Sequence, residues 1–505
     1  MDREHDLGKI LSSAGLVFVG TVFGSVAVLF ERVLLGRVLS ASAYGEFSIA
    51  VDLMMLAVTL ALAGYQQGIP RFMARYDSPA DIRGTWVTGL VVTLPIAGGI
   101  CVLLLVFDET IVSLLFEDAR SLSLLLLFVL TIPFVVTFSL GVSAIRGFEK
   151  TRYKIVAEDI GYPSLRLLVL ALLLAAGMDV IATGYSYLIA AVLTTVVTFA
   201  LLRRFMPLFG SFTLHVREIT AFSTPLVVST VVSTLLARTD TLMLGYFRSS
   251  TEVGIYNSAY PLAGALVLLL GTFGYLYLPV ASRLDNKDDL DGVKTLYTMT
   301  SKWTYVLTFP IFVLFVVFPG EIISLTFGDE YSTGGVALAI LSIGFFINAA
   351  VGRNRETLSA FGYTKFILIT NVAAFIVNVV GNLVLIPLYG FIGAAVASAA
   401  SYIALNILIY AFLSRNFDVR PFTETSIRAV VALPLVLLPF GFLFRSVVPI
   451  TLLTICAFAV VVTVLTIGIV IASRSLESYD LVFVEFLEEV IQRRIPGIRQ
   501  LIPDS

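Results

Sequence analysis

The sequence predicts an all-α polytopic membrane protein of about 14 transmembrane helices. They are expected to form two parallel six-helix lobes related by a pseudo-two-fold axis, followed by two C-terminal helices. Three observations predict this. Of 505 residues, 58% are hydrophobic and 13% charged, whereas soluble domains run near ~45–50% and ~25%. Apolar runs recur at the ~20-residue length that crosses a bilayer. The two halves also repeat each other in order.

In chain order the predicted spans cover 10–36, 44–66, 85–107, 122–145, 155–177, 180–202, 219–247, 253–281, 303–326, 333–352, 366–387, 391–413, 429–446 and 449–473. The first is followed by "SASAY", which resembles a signal-peptidase site. A signal's apolar region is about 7–15 residues, and the run from Ile10 to Leu39 is far longer, so it reads as a retained helix. Short alternating strands are absent, which argues against a β-barrel. The connecting loops test the count. With the N-terminus inside, 22 arginines and lysines fall on the inner loops and 4 on the outer ones. That bias follows the positive-inside rule and places both termini in the cytoplasm of a multi-pass cell-membrane protein. Beyond the last span, "LVFVEFLEEVIQRRIPGIRQ" carries apolar and charged residues at helical spacing, as an amphipathic helix on the inner surface would.

The repeat has a period of about 210 residues. Gly36 and Gly45 find Gly245 and Gly254, and Phe47 finds Tyr256. "TLPI" at Thr93 recurs as "TFPI" at Thr308, and "IVSLLFEDARS" from Ile111 as "IISLTFGDEYS" from Ile322. "FEKTRY" from Phe148 recurs as "FGYTKF" from Phe361, and Gly177 matches Gly390. Six spans per copy is an even number, so both copies insert in the same orientation. The expected organisation is 1–210 as the N-lobe, 211–415 as the C-lobe, 416–475 as the last two spans and 476–505 as a cytoplasmic amphipathic tail. Duplicated parallel lobes are an architecture of transporters with a central site.

Several chemistries are missing. No Gly-rich loop ending in Gly-Lys-Ser/Thr provides an ATP motor, and short loops leave no room for an enzymatic domain. Two histidines and two distant cysteines, Cys101 and Cys456, offer no metal site, triad or cofactor site and read as bland, buried thiols. The net charge of −2 argues against nucleic acid as a partner. The cluster "DNKDD" reads as a solvated turn.

Ionisable groups inside spans are costly and should face partners or a wet cavity. Glu31 and Arg32 lie in the first span, Asp52 in the second, Arg166 in the fifth, and Arg238 and Asp240 in the seventh. Asp159, Tyr162 and Arg166 are spaced to share one helical face. Arg238 and Asp240 are two apart, roughly 200° around a helix, so they should not pair with each other. Asp240 falls at the repeat position of Glu31, and each has an arginine beside it in sequence. Two pseudo-symmetric acid–base clusters are one expectation, and snorkelling to the headgroups is the alternative. Asn371, Asn378 and Asn382 suit interhelical hydrogen bonds better than substrate contact.

Together these features resemble the polysaccharide flippases, Wzx-like members of the multidrug/oligosaccharidyl-lipid/polysaccharide exporter superfamily. The carrying stretches are "GRVLSASAYGEFSIA" from Gly36, "GIPRFMARY" from Gly68 and "ARTDTLMLGYF…EVGIYNSAY" from Ala237. "EIISLTFGDEYSTG" from Glu321 and "NLVLIPLYGFIGAAVAS" from Asn382 complete them. The resemblance implies a non-enzymatic flippase that moves a polyprenyl-phosphate-linked oligosaccharide from the inner to the outer face by alternating access. Membrane lipid and glycan-assembly enzymes are then its implied surroundings. Family members line the cavity with cations, and the planar fork of arginine suits a phosphate. Arg32, Arg166 and Arg238 are the candidates, with Arg353 at the inner mouth. Without an ATPase the drive must come from a gradient, and Glu31, Asp52 and Asp240 are candidate carriers of a proton or sodium ion. The competing reading is an ion-coupled multidrug extruder of the same superfamily, which the arginines disfavour because a cationic drug wants an acidic cavity.

Overall fold

The computed structural model describes residues 2–118 and 121–481, with side chains from Gly20 onward except at 269–276. Helices account for nearly all of it, and no strand occurs among the described residues. The first repeat region holds α1 (Asp2–Val38), α2 (Ala41–Leu62), α3 (Tyr65–Met73), α4 (Pro79–Val106), α5 (Asp108–Leu115), α6 (Ser121–Gly147), α7 (Thr151–Lys154), α8 (Tyr162–Ala175) and α9 (Ile181–Leu202). The second holds α10 (Val216–Phe247), α11 (Ser250–Asp285), α12 (Leu290–Val317), α13 (Pro319–Thr326), α14 (Gly335–Ala350), α15 (Asn354–Ala360), α16 (Thr364–Tyr389) and α17 (Phe391–Phe417). Then come α18 (Ser426–Val447) and α19 (Leu452–Ala472).

Each of the fourteen predicted spans overlaps a helix, although 303–326 runs from α12 into α13 and 44–66 from α2 into α3. Eleven helices among the described residues are long and apolar enough to cross a membrane. The protein is an all-helical, multi-pass membrane protein. Leu435, Val447 and Leu453 stand exposed on α18 and α19, as lipid-facing side chains do when the backbone is satisfied within its own helix. The predicted amphipathic tail from 482 onward lies outside the described residues.

Three differences from expectation have physical reasons. The long predicted loop from Ser282 shrinks to a turn at 286–289, because α11 and α12 continue past their apolar stretches. Lipid demands apolar residues only across its core, and a helix needs no such composition in water. Asp289 caps α12 by accepting from Gly292 N at 2.9 Å. Second, the repeated "IVSLLF" and "IISLTF" stretches fold as the separate short helices α5 and α13. Third, residues Ile155–Gly161 form a π-helix that runs directly into α8. Of the face expected of Asp159, Tyr162 and Arg166, the last two still meet, the guanidinium lying 5.2 Å from the Tyr162 ring, while Asp159, within the π turn, leaves it. Asp159 instead accepts from Lys154 Nζ at 2.6 and 2.7 Å. The two cysteines are free, as expected, but Cys456 is exposed and Cys101 half-buried where burial was expected.

The chain divides into two compact units, one comprising Met1–Ser258 with Asn378–Ala394, the other Ala259–Val377 with Ala395–Ser505. In the first, α2 lies along α10 and α11 with almost no space between backbones. A Cβ added at Gly45 would stand 1.8 Å from Ser250 O, and one at Gly254 would stand 2.0 Å from Ala41 O. Only glycine permits that approach, and the two glycines are repeat counterparts. In the second unit, Lys302 of α12 pairs with Asp480 in a fully buried contact that also receives Trp303 Nε1 at 2.8 Å. It ties the segment after α19 to α12. Asn406 Nδ2 donates to Asn348 Oδ1 at 3.0 Å, and Asn354 Nδ2 donates to Asn406 Oδ1 at 2.8 Å, joining α14, α15 and α17.

Candidate functional site

Six of the seven singled-out residues lie in the first unit, and Arg353 lies in the second. The helices that carry the six are long apolar segments in which a charge survives only with a partner. Their partners are therefore the informative observation.

Glu31 of α1 accepts from Arg166 Nη2 of α8, 135 residues away. Both side chains are almost completely buried, at 1% and 4% exposure. The guanidinium lies 4.3 Å from the centre of the Tyr187 ring and 5.2 Å from that of Tyr162, so aromatic faces supply part of the solvation lost on burial. Phe128 supports Tyr187 at 5.0 Å, and Phe47 does so at 6.0 Å. Glu31 Oε1 and Arg166 Nε are buried without a hydrogen-bond partner. The pair thus keeps one acceptor and one donor in reserve. Arg32, half-buried, sits 4.8 Å over the Phe47 ring and feels the charges of Asp52 and Glu31.

Arg238 of α10 does not pair with Asp240, as its spacing predicts. It donates through Nη1 to Asp52 of α2. Asp52 is 8% exposed and Arg238 30%, so this pair is the more open of the two.

Asp240, 1% exposed, has a different environment. It accepts from Tyr256 OH at 2.6 Å, Asn378 Nδ2 at 2.8 Å and Asn382 Nδ2 at 2.6 Å. Such burial removes it from any headgroup, so snorkelling does not describe it. Asn378 and Asn382 make the interhelical hydrogen bonds expected of them. Asn371 Nδ2 is buried with no partner. The expected arginine beside each carboxylate thus gives way to different partners, because facing helices supply them and sequence neighbours point elsewhere. Sequence reasoning placed Tyr162 beside Arg166 but missed Tyr187 and the role of Tyr256. For Tyr256 a signal existed: its repeat counterpart is Phe47, and the added hydroxyl is the group that reaches Asp240.

Arg353 follows Gly352, whose φ of 65° lies in the left-handed region, at the junction of α14 and α15. Its Nη1 donates to Glu356 Oε1 at 2.7 Å, while Nε and Nη2 are buried without partners. No group of three histidine, cysteine or carboxylate side chains converges as a metal site among the described residues.

A long helical chain that carries paired charges inside its spans has the make-up of a membrane transporter. The family described as polysaccharide biosynthesis protein matches residues 10–285, and the chain belongs to it. The MatE family matches 225–384. Among curated relatives, the probable low-salt glycan biosynthesis flippase Agl15 of Haloferax volcanii is 23% identical over 409 residues, covering 79% of this chain and 82% of that one. The probable flippase AglR of the same organism is 30% identical over 185 residues, covering 36% of this chain and 39% of that one. Among solved structures, the lipid II flippase MurJ in its inward closed conformation superposes with a TM-score of 0.73 at 14% identity, over 94% of this chain and 100% of that one. An inward-facing multidrug resistance MATE transporter follows at 0.66 and 13%, over 78% and 94%.

Proposed function

We propose that this protein flips a polyprenyl-phosphate-linked oligosaccharide from the inner to the outer leaflet of the cell membrane by alternating access. One observation carries the reading: a curated relative that matches over 79% of the chain is named a probable glycan biosynthesis flippase, and this chain holds arginines inside its spans, where such a head group would cross. Arg32, Arg166, Arg238 and Arg353 would meet the phosphate, for which the guanidinium fork is suited. The lobes 1–210 and 211–415, the added spans 416–475, the tail 476–505 and cytoplasmic termini belong to the same proposal, as does docking of glycan-assembly enzymes.

The pairs suggest how transport is driven. A phosphate that binds Arg166 or Arg238 competes with Glu31 or Asp52 for the same guanidinium. The displaced carboxylate can then take a proton, and it surrenders the proton when the arginine returns. Asp240, held by neutral donors, has room for a different role. Rotating the Asn378 and Asn382 amides would turn carbonyl oxygens toward it, giving a small cation such as sodium an all-oxygen cradle. A multidrug extruder is the second reading, favoured by the MatE match to 225–384 and disfavoured by the arginines.

The test is direct. Purified protein in vesicles with a fluorescent lipid-linked oligosaccharide in one leaflet should expose it in the other, as read by glycosidase accessibility. Unassisted rates with this lipid, alongside export of cationic dyes, would favour the extruder.

A further inference from the structure

The segment joining α9 to α10, residues 203–215, is irregular yet held at many points. Arg83 of α4, buried, donates from Nε to Pro207 O at 2.8 Å and from Nη1 to Ser211 O at 2.5 Å. Thr213 N donates to Ala80 O at 3.2 Å, and Thr213 O lies so close to Gly84 that a Cβ there would be 1.8 Å away. His215 N donates to Thr88 Oγ1 at 3.0 Å, and its ring contacts Asp81 at 3.1 Å and stacks on Tyr76 at 4.5 Å. Tyr76 in turn donates to Glu218 at 2.8 Å. Burial and that carboxylate push its phenol up to about 12, so it remains a donor under ordinary conditions. Phe205 packs on Tyr153 and Phe148 at 5.0 and 6.0 Å.

A segment fixed this firmly could have buried its apolar side chains. Instead Phe209 is 91% exposed, Phe212 51% and Leu214 44%. Flanking them in sequence, Arg203, Arg204 and Arg217 are exposed, as are Lys150 and Arg152, which lie between the two residues that pack on Phe205, Phe148 and Tyr153. The nearby carboxylates are otherwise engaged: Asp81 with His215, and Glu218 with Tyr76 and Arg75. Glu149, exposed beside Lys150, and Asp77, exposed beside Tyr76, are the remaining acidic neighbours in sequence. No ion pair among the described residues occupies Arg203, Arg204 or Arg217.

We infer that this linker is a membrane-docking surface: Phe209, Phe212 and Leu214 enter the leaflet at the ends of α9 and α10, and the surrounding basic side chains bind its anionic phosphate headgroups. Aromatic and aliphatic side chains ringed by arginine are the pattern that partitions into a headgroup–acyl boundary, where each basic residue adds attraction to anionic lipid. The position follows from the fold, since α9 and α10 are both spanning helices and the linker lies at their common end. In the proposed orientation that leaflet is the inner one. The linker also joins the two sequence repeats. The inference needs the chain to span a membrane, and it does not depend on the transported substrate.

Spin labelling tests it without measuring transport. In a Cys101→Ser/Cys456→Ser background, Phe209→Cys and Phe212→Cys would each carry a nitroxide, with Asp288→Cys as the aqueous reference and Leu453→Cys as the lipid reference. In nanodiscs containing phosphatidylglycerol, both linker labels should collide with oxygen more than with a water-soluble nickel chelate. Nickel-dominated collisions would overturn the inference and leave the patch for a soluble protein partner. Separately, replacing phosphatidylcholine with phosphatidylglycerol should raise the unfolding midpoint of the wild type. The Arg203→Gln/Arg204→Gln/Arg217→Gln variant should lose most of that rise. An equal rise in the variant would remove the headgroup contact.

Discussion

Glu31 and Asp240 occupy the same position in the two repeats, yet one meets a charge and the other meets amides. Glu31 is matched by Arg166 with aromatic rings packed around the guanidinium. Asp240 is cradled by Tyr256, Asn378 and Asn382. At matching positions of the repeated sequence, two carboxylates thus have different partners. The difference teaches that a buried acid's role is set by what faces it. A carboxylate tied to a guanidinium is exchanged only against another anion, whereas one tied to rotatable amides can exchange donors for a cation.

The comparison breaks most visibly at Arg166. Arg166→Ala would leave Glu31 buried and unpaired, costing ~3–5 kcal/mol, read as a lowered thermal midpoint in detergent and lost flipping. Glu31→Gln combined with Arg166→Met should recover much of the stability without the transport. Next in size, Asn378→Leu with Asn382→Leu strips Asp240 of two donors and should cost ~1–3 kcal/mol for each group left unsatisfied. Asp240→Asn, by contrast, should keep a midpoint close to wild type while removing the dependence of flipping on the coupling ion. If Asp240→Asn and Arg166→Ala destabilise equally, the distinction between the clusters fails.

A third test uses a place where the repeats agree. Gly45→Ala and Gly254→Ala should each cost ~1–3 kcal/mol through overpacking, and their costs should match because each Cβ meets a backbone oxygen of the facing helix. The smallest effect belongs to Arg238→Gln, since its pair with Asp52 is partly exposed. Glutamine keeps a donor for the buried Asp52 carboxylate, so the loss should be ~1–2 kcal/mol and smaller than for Arg166→Ala, and a large fall in flipping would isolate a substrate role.

Much of this was legible in the sequence. Apolar run length located every spanning helix, because lipid imposes it on each span separately. Repeat matching aligned Glu31 with Asp240, and helical geometry kept Arg238 from Asp240. Partners were not legible: nothing local says that Arg166 seeks Glu31, 135 residues earlier, or that Arg238 seeks Asp52. Helix ends beyond the apolar stretches were missed as well, since α11 and α12 run on through charged residues that a lipid criterion rejects.

The π turn at Ile155–Gly161 has a consequence for how the two repeats were diverted from each other. At the offset set by Phe148 and Phe361, Arg166 falls opposite Val379. A π turn takes up one residue more than an α turn, so everything after it is set back by about 100°. Arg166 therefore occupies the angular place of Asn378, the residue that bonds Asp240 in the other copy. One surplus residue in the winding, with no insertion in the alignment, dials a guanidinium into a slot that its sibling fills with an amide. Deleting one residue from 155–161 should convert the turn to α winding and leave Arg166 facing Glu31, whereas rewinding the turn with no deletion would swing it away by about 100°.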